Sequence, residues 1–249
     1  MNKTFSGNDF TYNACVGNNG HIDFITYSDG YDEIVKLGLE KIDNHTIPTD
    51  ILVYPLIYSA RHRIELFLKH QLIKIDYIKN KLLSNNNTRE IIRTHEISTL
   101  WQMFKNETAF EPRFNESINE LNEYIIDYAQ IDDTGEVFRY PVSTGGDKHL
   151  ADISVVNLLS FKKRYLELTD KLEALDFYSS FLVTEYQQGT FAGGLSRDTI
   201  RTIATELPPI DSWAEDKAGF STIKDSIKNK YDISSKTLSK AIDLMKNNF

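Results

Sequence analysis

The sequence has a single cysteine, Cys15, which excludes an intramolecular disulfide bond and a zinc site built from several cysteines. This cysteine usage is typical of a protein from a reducing cytoplasm. The polar N-terminus, MNKTFSGNDF, lacks the apolar core of a signal peptide. No stretch approaches the roughly 18 consecutive apolar residues that a membrane-spanning helix needs. We therefore expect a cytoplasmic protein without a membrane segment.

Proline and glycine are also scarce, at 6 and 12 of 249 residues, which favours helices over a turn-rich β fold. Hydrophobic residues make up 41% of the chain and aromatic residues 12%, which is enough to form a sizeable core. The formal net charge of -8 argues against a surface that is basic all over, but it leaves room for a local basic patch. Length and composition predict one large all-α domain, or one such domain with an appendage.

Hydrophobic spacing predicts a bundle of helices behind a short hairpin. The segment 10–27 has β-rich flanks around Asn18-Asn19-Gly20, and an Asn-Gly pair between such flanks is typical of a hairpin. Further along the chain, apolar residues recur every three to four positions, as they do on the buried face of a helix. The pattern predicts helices over about 30–43, 50–83, 94–104, 113–130 and 151–187. The residues that it assigns to the buried faces of the first and the last of these helices are Ile34, Leu37, Leu39, Ile42, Val155, Leu158, Leu159, Tyr165, Leu166, Leu172, Leu175 and Phe181.

A soft boundary near residue 190 divides the chain. Three glycines follow the last long helix, and the shorter helices after them are broken by Pro208-Pro209. We expect an N-terminal hairpin over 1–29, a helical bundle over 30–189 and a small helical subdomain over 190–249.

The stretch SARHRIELFLKH, residues 59–70, places an unusual number of charged side chains on an otherwise apolar helix. On a wheel of 100° per residue, the core face of this helix is defined by Ile57, Ile64, Phe67, Leu68 and Ile75. Arg61 and Glu65 lie on one margin of this face and predict a half-buried ion pair. Arg63 and His70 are seven residues apart, so they lie within about 20° of each other on the other margin. On its own, this second pair is typical of a solvated helix edge.

Three motifs occur in an order that resembles prokaryotic HEPN-domain proteins. RHRIELFLKH on the long helix is followed by HEISTLW at the start of a helix and by GEVFRYP in a loop. The resemblance covers about residues 30–187 and implies an up-and-down helical bundle, a homodimer and, as in many members, ribonuclease activity. It also implies a role in defence against phage or in toxin–antitoxin control, with a regulatory partner protein.

The chemical signature of that family is an arginine followed after four to six residues by a histidine, and Arg63 and His70 match it with six residues between them. The resemblance implies that His70 is the general acid/base and that Arg63 binds the phosphate, in a cleft shared by two protomers. A histidine can exchange the 2′-hydroxyl proton of RNA near neutral pH, and an arginine can stabilise charge on phosphate oxygens. This chemistry needs no metal and no cofactor, and it leaves a 2′,3′-cyclic phosphate.

Ile64 follows Arg63, where active members of the family commonly carry a small polar residue. The alternative function is therefore a catalytically inactive scaffold or regulatory module, which binds nucleic acid or a partner protein through its C-terminal helices.

The other two motifs each contain a candidate residue. His95 lies at the start of its helix and is expected to pack against Glu65 or Arg61. Arg139 lies between aromatic residues in FRYP and is expected either to stack on a neighbouring ring or to contact a phosphate. The loop that contains Arg139 also carries Asp132, Asp133 and Glu136, which are typical of a solvated turn. Its ligand-type side chains have no recognised metal spacing, so no metal site is predicted.

The C-terminal segment 227–245, IKNKYDISSKTLSKAIDLM, has the rhythm of a helix-turn-helix. From residue 217 to the end there are seven lysines and three aspartates, a charge of +4, so the remainder of the chain carries about -12. Lys236 and Lys240 are expected near phosphates at the start of the second helix. This asymmetry predicts contact with nucleic acid, with DNA as well as RNA among the candidates.

Overall fold

The computed structural model describes residues 4, 11, 13–17, 19, 23–44, 47–83 and 88–248. In these ranges the chain forms nine α-helices and two 3-10 turns, and its only β structure is two isolated bridges. The prediction of an all-α fold is confirmed. Two of the three residues at the turn of the predicted hairpin over 10–27, Asn18 and Gly20, lie outside the described residues. The described residues 13–16 are not assigned to a strand, and the last part of the segment, from Phe24 on, belongs to the first helix. No helix in the described ranges is long and apolar enough to cross a membrane.

The helices are numbered in chain order. They are α1 (Phe24–Asp43), α2 (Thr49–Leu83), α3 (Thr88–Arg93), α4 (Ile97–Glu107), α5 (Asn115–Asp132), α6 (Leu158–Gln187), α7 (Arg197–Glu206), α8 (Lys217–Tyr231) and α9 (Ser235–Asn248).

Helix α2 lies at the centre of the bundle and packs against α1, α4 and α6. Its five predicted core residues are all buried, which confirms the core face assigned from the wheel; they are Ile57, Ile64, Phe67, Leu68 and Ile75. Apolar side chains from α4, α5 and α6 complete the main core. Over residues 59–72, only His62 and His70 are not buried. Almost the whole circumference of α2 is therefore covered by other helices.

The contacts between helices show the relative direction of each packed pair. Asp32 of α1 pairs with Arg63 while the later Gly38 approaches the earlier Leu56, so α1 and α2 are antiparallel. Against α6 the numbers rise together, from the contact between Arg63 and Thr169 to the contact between Lys74 and Ser180, so α2 and α6 are parallel. Helix α5 runs antiparallel to both α4 and α6.

Helices α1 and α6 differ from their predicted bounds and faces. Helix α1 begins at Phe24, six residues before the prediction, because Asp23 caps it by accepting a hydrogen bond from the Thr26 backbone N–H. Helix α6 begins at Leu158, seven residues after the prediction, and Asn157 caps it. Several predicted core residues of these helices are exposed: Ile34, Leu37, Val155, Leu159, Leu166 and Phe181.

The C-terminal helices α7, α8 and α9 pack around a hydrophobic cluster of their own, which extends from Ala192 to Met245. Three residues, Asp232 to Ser234, separate α8 from α9. Asp232 adopts the left-handed conformation, with φ of 49°, and ends α8. The Ser234 side chain accepts a hydrogen bond from the Thr237 backbone N–H and caps α9. The segment 190–248 is thus a three-helix unit with a tight turn before its last helix.

Candidate functional site

Arg63 lies inside the protein, not on the solvated helix edge typical of its position on the wheel. Its guanidinium Nη1 lies 2.9 Å from Asp32 Oδ1 on α1. The same nitrogen donates hydrogen bonds to the Tyr165 hydroxyl at 3.1 Å and to the Thr169 hydroxyl at 2.5 Å, both on α6. The wheel failed here because it assumed a single core direction, whereas α1 and α6 cover this margin of α2. Arg63 links three helices and is turned away from solvent.

His70 is also more enclosed than a solvated edge would be, with 14% of its side chain exposed. Its Nε2 lies 3.5 Å from Asp176 Oδ1 on α6, and Gln71 and Lys74 donate hydrogen bonds to the same oxygen. Burial alone would raise the pKa of Asp176. The hydrogen bonds from His70 and Lys74 and the positive charge of Lys74 outweigh it and lower the pKa to about 2.

Arg63 and His70 therefore contact different places on α6. Thr169 and Asp176 are seven residues apart, which is about 10 Å along a helix. A phosphate under attack must be within hydrogen-bond reach of both catalytic groups. The predicted catalytic pair is not brought together around one point within this chain, and Arg63 is occupied by Asp32.

Arg61 and Glu65 form the predicted ion pair, but they are buried rather than half-buried. Arg61 Nη1 bonds the Glu65 carboxylate, and Lys69 Nζ donates to the same carboxylate at 2.8 Å. The remaining Arg61 nitrogens donate to backbone carbonyls of His95, Asp132 and Asp133. A buried guanidinium with this many acceptors fixes the start of α4 and the end of α5 against α2.

Two histidines meet at Glu65. His95 Nδ1 lies 2.9 Å from Glu65 Oε1, which confirms the predicted packing of His95, and 66% of its side chain is exposed. His62 Nδ1 lies 3.6 Å from Glu65 Oε2. The His62 ring is stacked parallel to Tyr58, with centroids 5.7 Å apart, and meets the edge of Tyr31. We call His62, Glu65 and His95 the histidine–glutamate cluster.

The surroundings of Glu65 keep its carboxylate ionised. Burial would raise the pKa of Glu65. Hydrogen bonds from His62 and Lys69, the charge of Arg61 and the hydrogen bond from His95 outweigh burial and hold the pKa well below its usual range. An ionised carboxylate only accepts hydrogen bonds, so Nδ1 of His95 carries the proton that faces Glu65. The other ring nitrogen, Nε2, is then on the opposite edge of a largely exposed ring.

His62 is not among the site residues predicted from the sequence, because the wheel turns it away from the main core. The signal that could have revealed it is its spacing from Glu65: residues three apart on a helix face each other. What the sequence could not supply is the approach of α4, which brings His95 to the same carboxylate.

Asp132, at the end of α5, is buried, so the prediction that it belongs to a solvated turn is wrong. Its carboxylate accepts hydrogen bonds from the backbone N–H groups of Gly135, Val137 and Phe138. Asp133 is half-buried and caps α4 by accepting from the backbone N–H and hydroxyl of Ser98. Both aspartates organise the loop that passes over Arg61.

Arg139 is exposed, and its guanidinium carbon lies 4.7 Å from the centre of the Tyr140 ring, so the predicted stacking on a neighbouring ring is confirmed. It lines a cavity of about 360 Å³ beside the N-terminal part of α2. Tyr54 and Phe138, which line this cavity, also line a larger and mostly apolar cavity of about 800 Å³. Contact between Arg139 and a phosphate stays a prediction.

Lys236 and Lys240 are exposed on α9, as a phosphate-contacting role requires. Lys240 Nζ lies 5.7 Å from the centre of the Phe191 ring, and Lys246 Nζ lies 5.3 Å from the centre of the Trp213 ring. The last helix therefore presents lysines next to aromatic rings.

No family model, curated protein or solved structure matches this chain. Among the described residues, no three histidine, cysteine or carboxylate side chains converge in a group that could hold a metal ion.

Proposed function

We propose that the protein is a metal-independent endoribonuclease whose acid–base centre is the histidine–glutamate cluster. The observation that carries this proposal is the 2.9 Å contact between His95 Nδ1 and the buried Glu65 carboxylate, on an imidazole that is two-thirds exposed. A carboxylate on one nitrogen orients the ring and makes the other nitrogen a better base. The resemblance to HEPN proteins suggests the substrate class, and the proposal assigns the chemistry to this cluster instead of Arg63 and His70.

Two imidazoles on one carboxylate suit the cleavage of RNA by its own 2′-hydroxyl. His95 Nε2 takes the proton from the 2′-oxygen as that oxygen bonds to the adjacent phosphorus. The bond from phosphorus to the 5′-oxygen breaks, and protonated His62 gives its proton to the departing oxygen. The products are a 2′,3′-cyclic phosphate and a free 5′-hydroxyl, and protons balance between the two histidines.

The test is cleavage of a structured RNA by the full-length protein in the presence of a chelator. We expect His95→Gln and His62→Ala each to slow cleavage by about 10²-fold or more, since each removes one proton-transfer group. His70→Ala is the matched control. It removes a partly buried histidine that lies on α2, as His62 does, but contacts α6. Its cleavage rate should stay within a few-fold of the wild-type rate.

Two outcomes would contradict this assignment. If His70→Ala abolished cleavage and His95→Gln did not, the catalytic residues would be Arg63 and His70, as predicted from the sequence. Absence of cyclic-phosphate product from any RNA would leave the non-enzymatic alternative in place. The homodimer, the regulatory partner and the role in phage defence or toxin–antitoxin control stay predictions.

A second function, nucleic-acid binding by α9, is favoured by a separate observation. The three-residue turn and the Ser234 cap place Lys236, Lys240 and Lys246 on an exposed helix of a three-helix unit. Helix-turn-helix proteins use the last helix of such a unit to enter the major groove. This function is compatible with either outcome for the acid–base centre.

Binding to duplex DNA at several salt concentrations tests this second function. Replacing Lys236 and Lys240 together by alanine should weaken binding and reduce the slope of log K against log salt by about 2, since each phosphate contact contributes about 0.9. Lys163→Ala, an exposed lysine on α6, is the control. An unchanged slope in the double variant would show that α9 does not contact the phosphates.

A further inference from the structure

Two cavities lie side by side at the N-terminal part of α2. The larger has a volume of about 800 Å³ and the smaller about 360 Å³, within the size range of ligand pockets. Both are lined by Tyr54, Phe138, Leu150 and Ile153, so the two cavities meet at these residues. At this junction the ring centres of Tyr54 and Phe138 lie 6.5 Å apart. The cavities are therefore neighbouring parts of one cleft, which suits a single elongated ligand.

The walls of the larger cavity suit a hydrocarbon chain. Most of the side chains that line it are aliphatic, among them Leu39, Ile42, Val53, Val156 and Leu158. Val155 and Leu159 also line it, although these residues are 79% and 76% exposed and the sequence predicts a buried position for both. A chain bound against them would remove this apolar surface from water, which is favourable.

The charges that line the two cavities differ in sign. In the larger cavity the Lys162 ammonium bonds the Asp43 carboxylate, and the remaining charged residue of the described lining is the acidic Asp50. In the smaller cavity Arg139 and Lys148 supply positive charge, and no acidic residue is among the described residues that line it. An anionic group is therefore favoured in the smaller cavity and disfavoured in the larger one.

His149, which lines the smaller cavity, points to the same kind of ligand group. Its Nε2 atom is buried and has no hydrogen-bond partner within the part of the chain that the structure describes. Buried polar atoms are nearly always hydrogen-bonded, and an exception needs an explanation. A carboxylate in the smaller cavity explains it, since a carboxylate oxygen accepts a hydrogen bond from a protonated Nε2.

We propose that the two cavities together bind one medium-chain carboxylate. Its hydrocarbon chain lies against Val155 and Leu159 in the larger cavity. Its carboxylate accepts hydrogen bonds from Arg139, Lys148 and His149 in the smaller cavity, and the fork of the guanidinium matches the two carboxylate oxygens. This inference goes beyond the proposed ribonuclease and does not rest on it, because binding of this ligand needs no acid–base centre.

The experiment is isothermal titration calorimetry of the full-length protein with hexanoate, octanoate and decanoate. Each step in this series adds two methylene groups, and their burial should tighten binding about tenfold. Decan-1-ol and decan-1-amine keep the ten-carbon chain but carry a neutral and a cationic head. We expect both to bind at least about tenfold more weakly than decanoate, because they lack its charge-assisted hydrogen bonds. The amine is the sharper comparison, because the net charge of -8 on the whole chain favours a cation if binding is unspecific.

Variants locate the two ends of the ligand. Arg139→Ala and Lys148→Ala should each weaken decanoate binding about tenfold and leave the affinity for decan-1-ol unchanged, because the alcohol has no charged head. Lys236→Ala, which removes an exposed lysine of α9, is the control for charge. Leu159→Ala should weaken the binding of both ligands. Phe177→Ala, which truncates a similarly exposed apolar residue of α6 that lines neither cavity, should weaken neither.

His149→Leu separates a ligand contact from a structural role. It should weaken decanoate binding while it keeps or raises the thermal midpoint, because it removes a buried polar atom that no described protein group satisfies. A lower midpoint with unchanged decanoate binding would overturn the assignment of His149 to the ligand.

Four results would overturn the proposal as a whole. The first is absence of decanoate binding at about 5 mM. The second is a decanoate affinity no higher than that of hexanoate, and the third is a preference for decan-1-ol or decan-1-amine over decanoate. The fourth is decanoate binding that Leu159→Ala, Arg139→Ala and Lys148→Ala all leave intact.

Discussion

Arg61 is a buried cation whose hydrogen bonds reach three chain segments. It holds Glu65 on its own helix and the carbonyls of His95, Asp132 and Asp133 at the ends of α4 and α5. The sequence predicted the pair with Glu65 from four-residue spacing alone. It could not predict the carbonyls, because they belong to segments 34 to 72 residues away.

We expect Arg61→Ala to lower the free energy of unfolding by about 3–5 kcal/mol, because it leaves the Glu65 carboxylate buried with one fewer cation and frees three carbonyls. Urea denaturation followed by circular dichroism measures this. Arg139→Ala, which removes an exposed arginine, should change the free energy by less than about 0.5 kcal/mol. Equal effects of the two variants would mean that Arg61 does not anchor the loop.

Gly135 provides a second test of the same contact. It has φ of +84°, and a Cβ there would lie 3.1 Å from Arg61 Nη1. Gly146 has φ of +89° with open space around it. Both Gly→Ala variants meet the same backbone strain, about 1 kcal/mol, but only Gly135→Ala also displaces Arg61. Chemical denaturation should show a larger loss for Gly135→Ala, and equal losses would contradict the close packing.

At the scale of helices, burial along α2 was predicted correctly for residues on the main core face. It was predicted wrongly where other helices cover the margin of that face. Ile64 and Leu68 are in the core as expected, because apolar spacing marks the face with the largest hydrophobic contact. Arg63 was misplaced because its partner Asp32 is on α1 and no spacing rule within α2 reveals it. On α6 the spacing correctly marked Leu172 but also selected Phe181, which is exposed. Pattern alone does not tell how much of a long helix its neighbours cover.

The contact between α2 and α6 should depend on pH through Asp176. Its pKa falls from 3.8 to about 2 on folding, so the folded protein binds this proton less readily than the unfolded chain does. The stabilisation is complete above about pH 4 and is lost as pH falls towards 2; it amounts to at most about 2 kcal/mol before solvent screening. Asp176→Asn should flatten the stability curve in this window, as urea titrations at several pH values would show. A curve that stays as steep as in the wild type would assign the acid sensitivity to other carboxylates.

At the scale of the whole molecule, the chain has a large core around α2 and a separate cluster around α9. The glycines and the Pro208-Pro209 pair indicated this change of organisation from the sequence. The spacing predicted five of the six helices described in the bundle and missed α3. The end-to-end alignment of α2 with α6 required the contacts of Arg63 and Lys74.

Separate cores predict separate responses to mutation. Leu238→Ala truncates a buried residue of the C-terminal cluster and should cost about 2–5 kcal/mol there, as core truncations do. Hydrogen exchange should accelerate in α7, α8 and α9 and change little in α2. Leu172→Ala, in the bundle core, should give the reverse distribution. Uniform acceleration in both variants would show a single cooperative unit instead.

The loop after α5 connects the buried Arg61 to the 360 Å³ cavity. Arg61 binds its first residues, and its later residues, from 137 to 149, form most of the pocket with Arg139. Any coupling between ligand binding in this cavity and the hydrogen bonds of Arg61 must therefore act equally in both directions. Whatever factor a ligand in this cavity adds to the stability of those hydrogen bonds, intact hydrogen bonds must add to the affinity for that ligand. Because the His95 backbone carbonyl accepts a hydrogen bond from the same guanidinium, Arg61 connects this loop to the segment that carries the exposed imidazole.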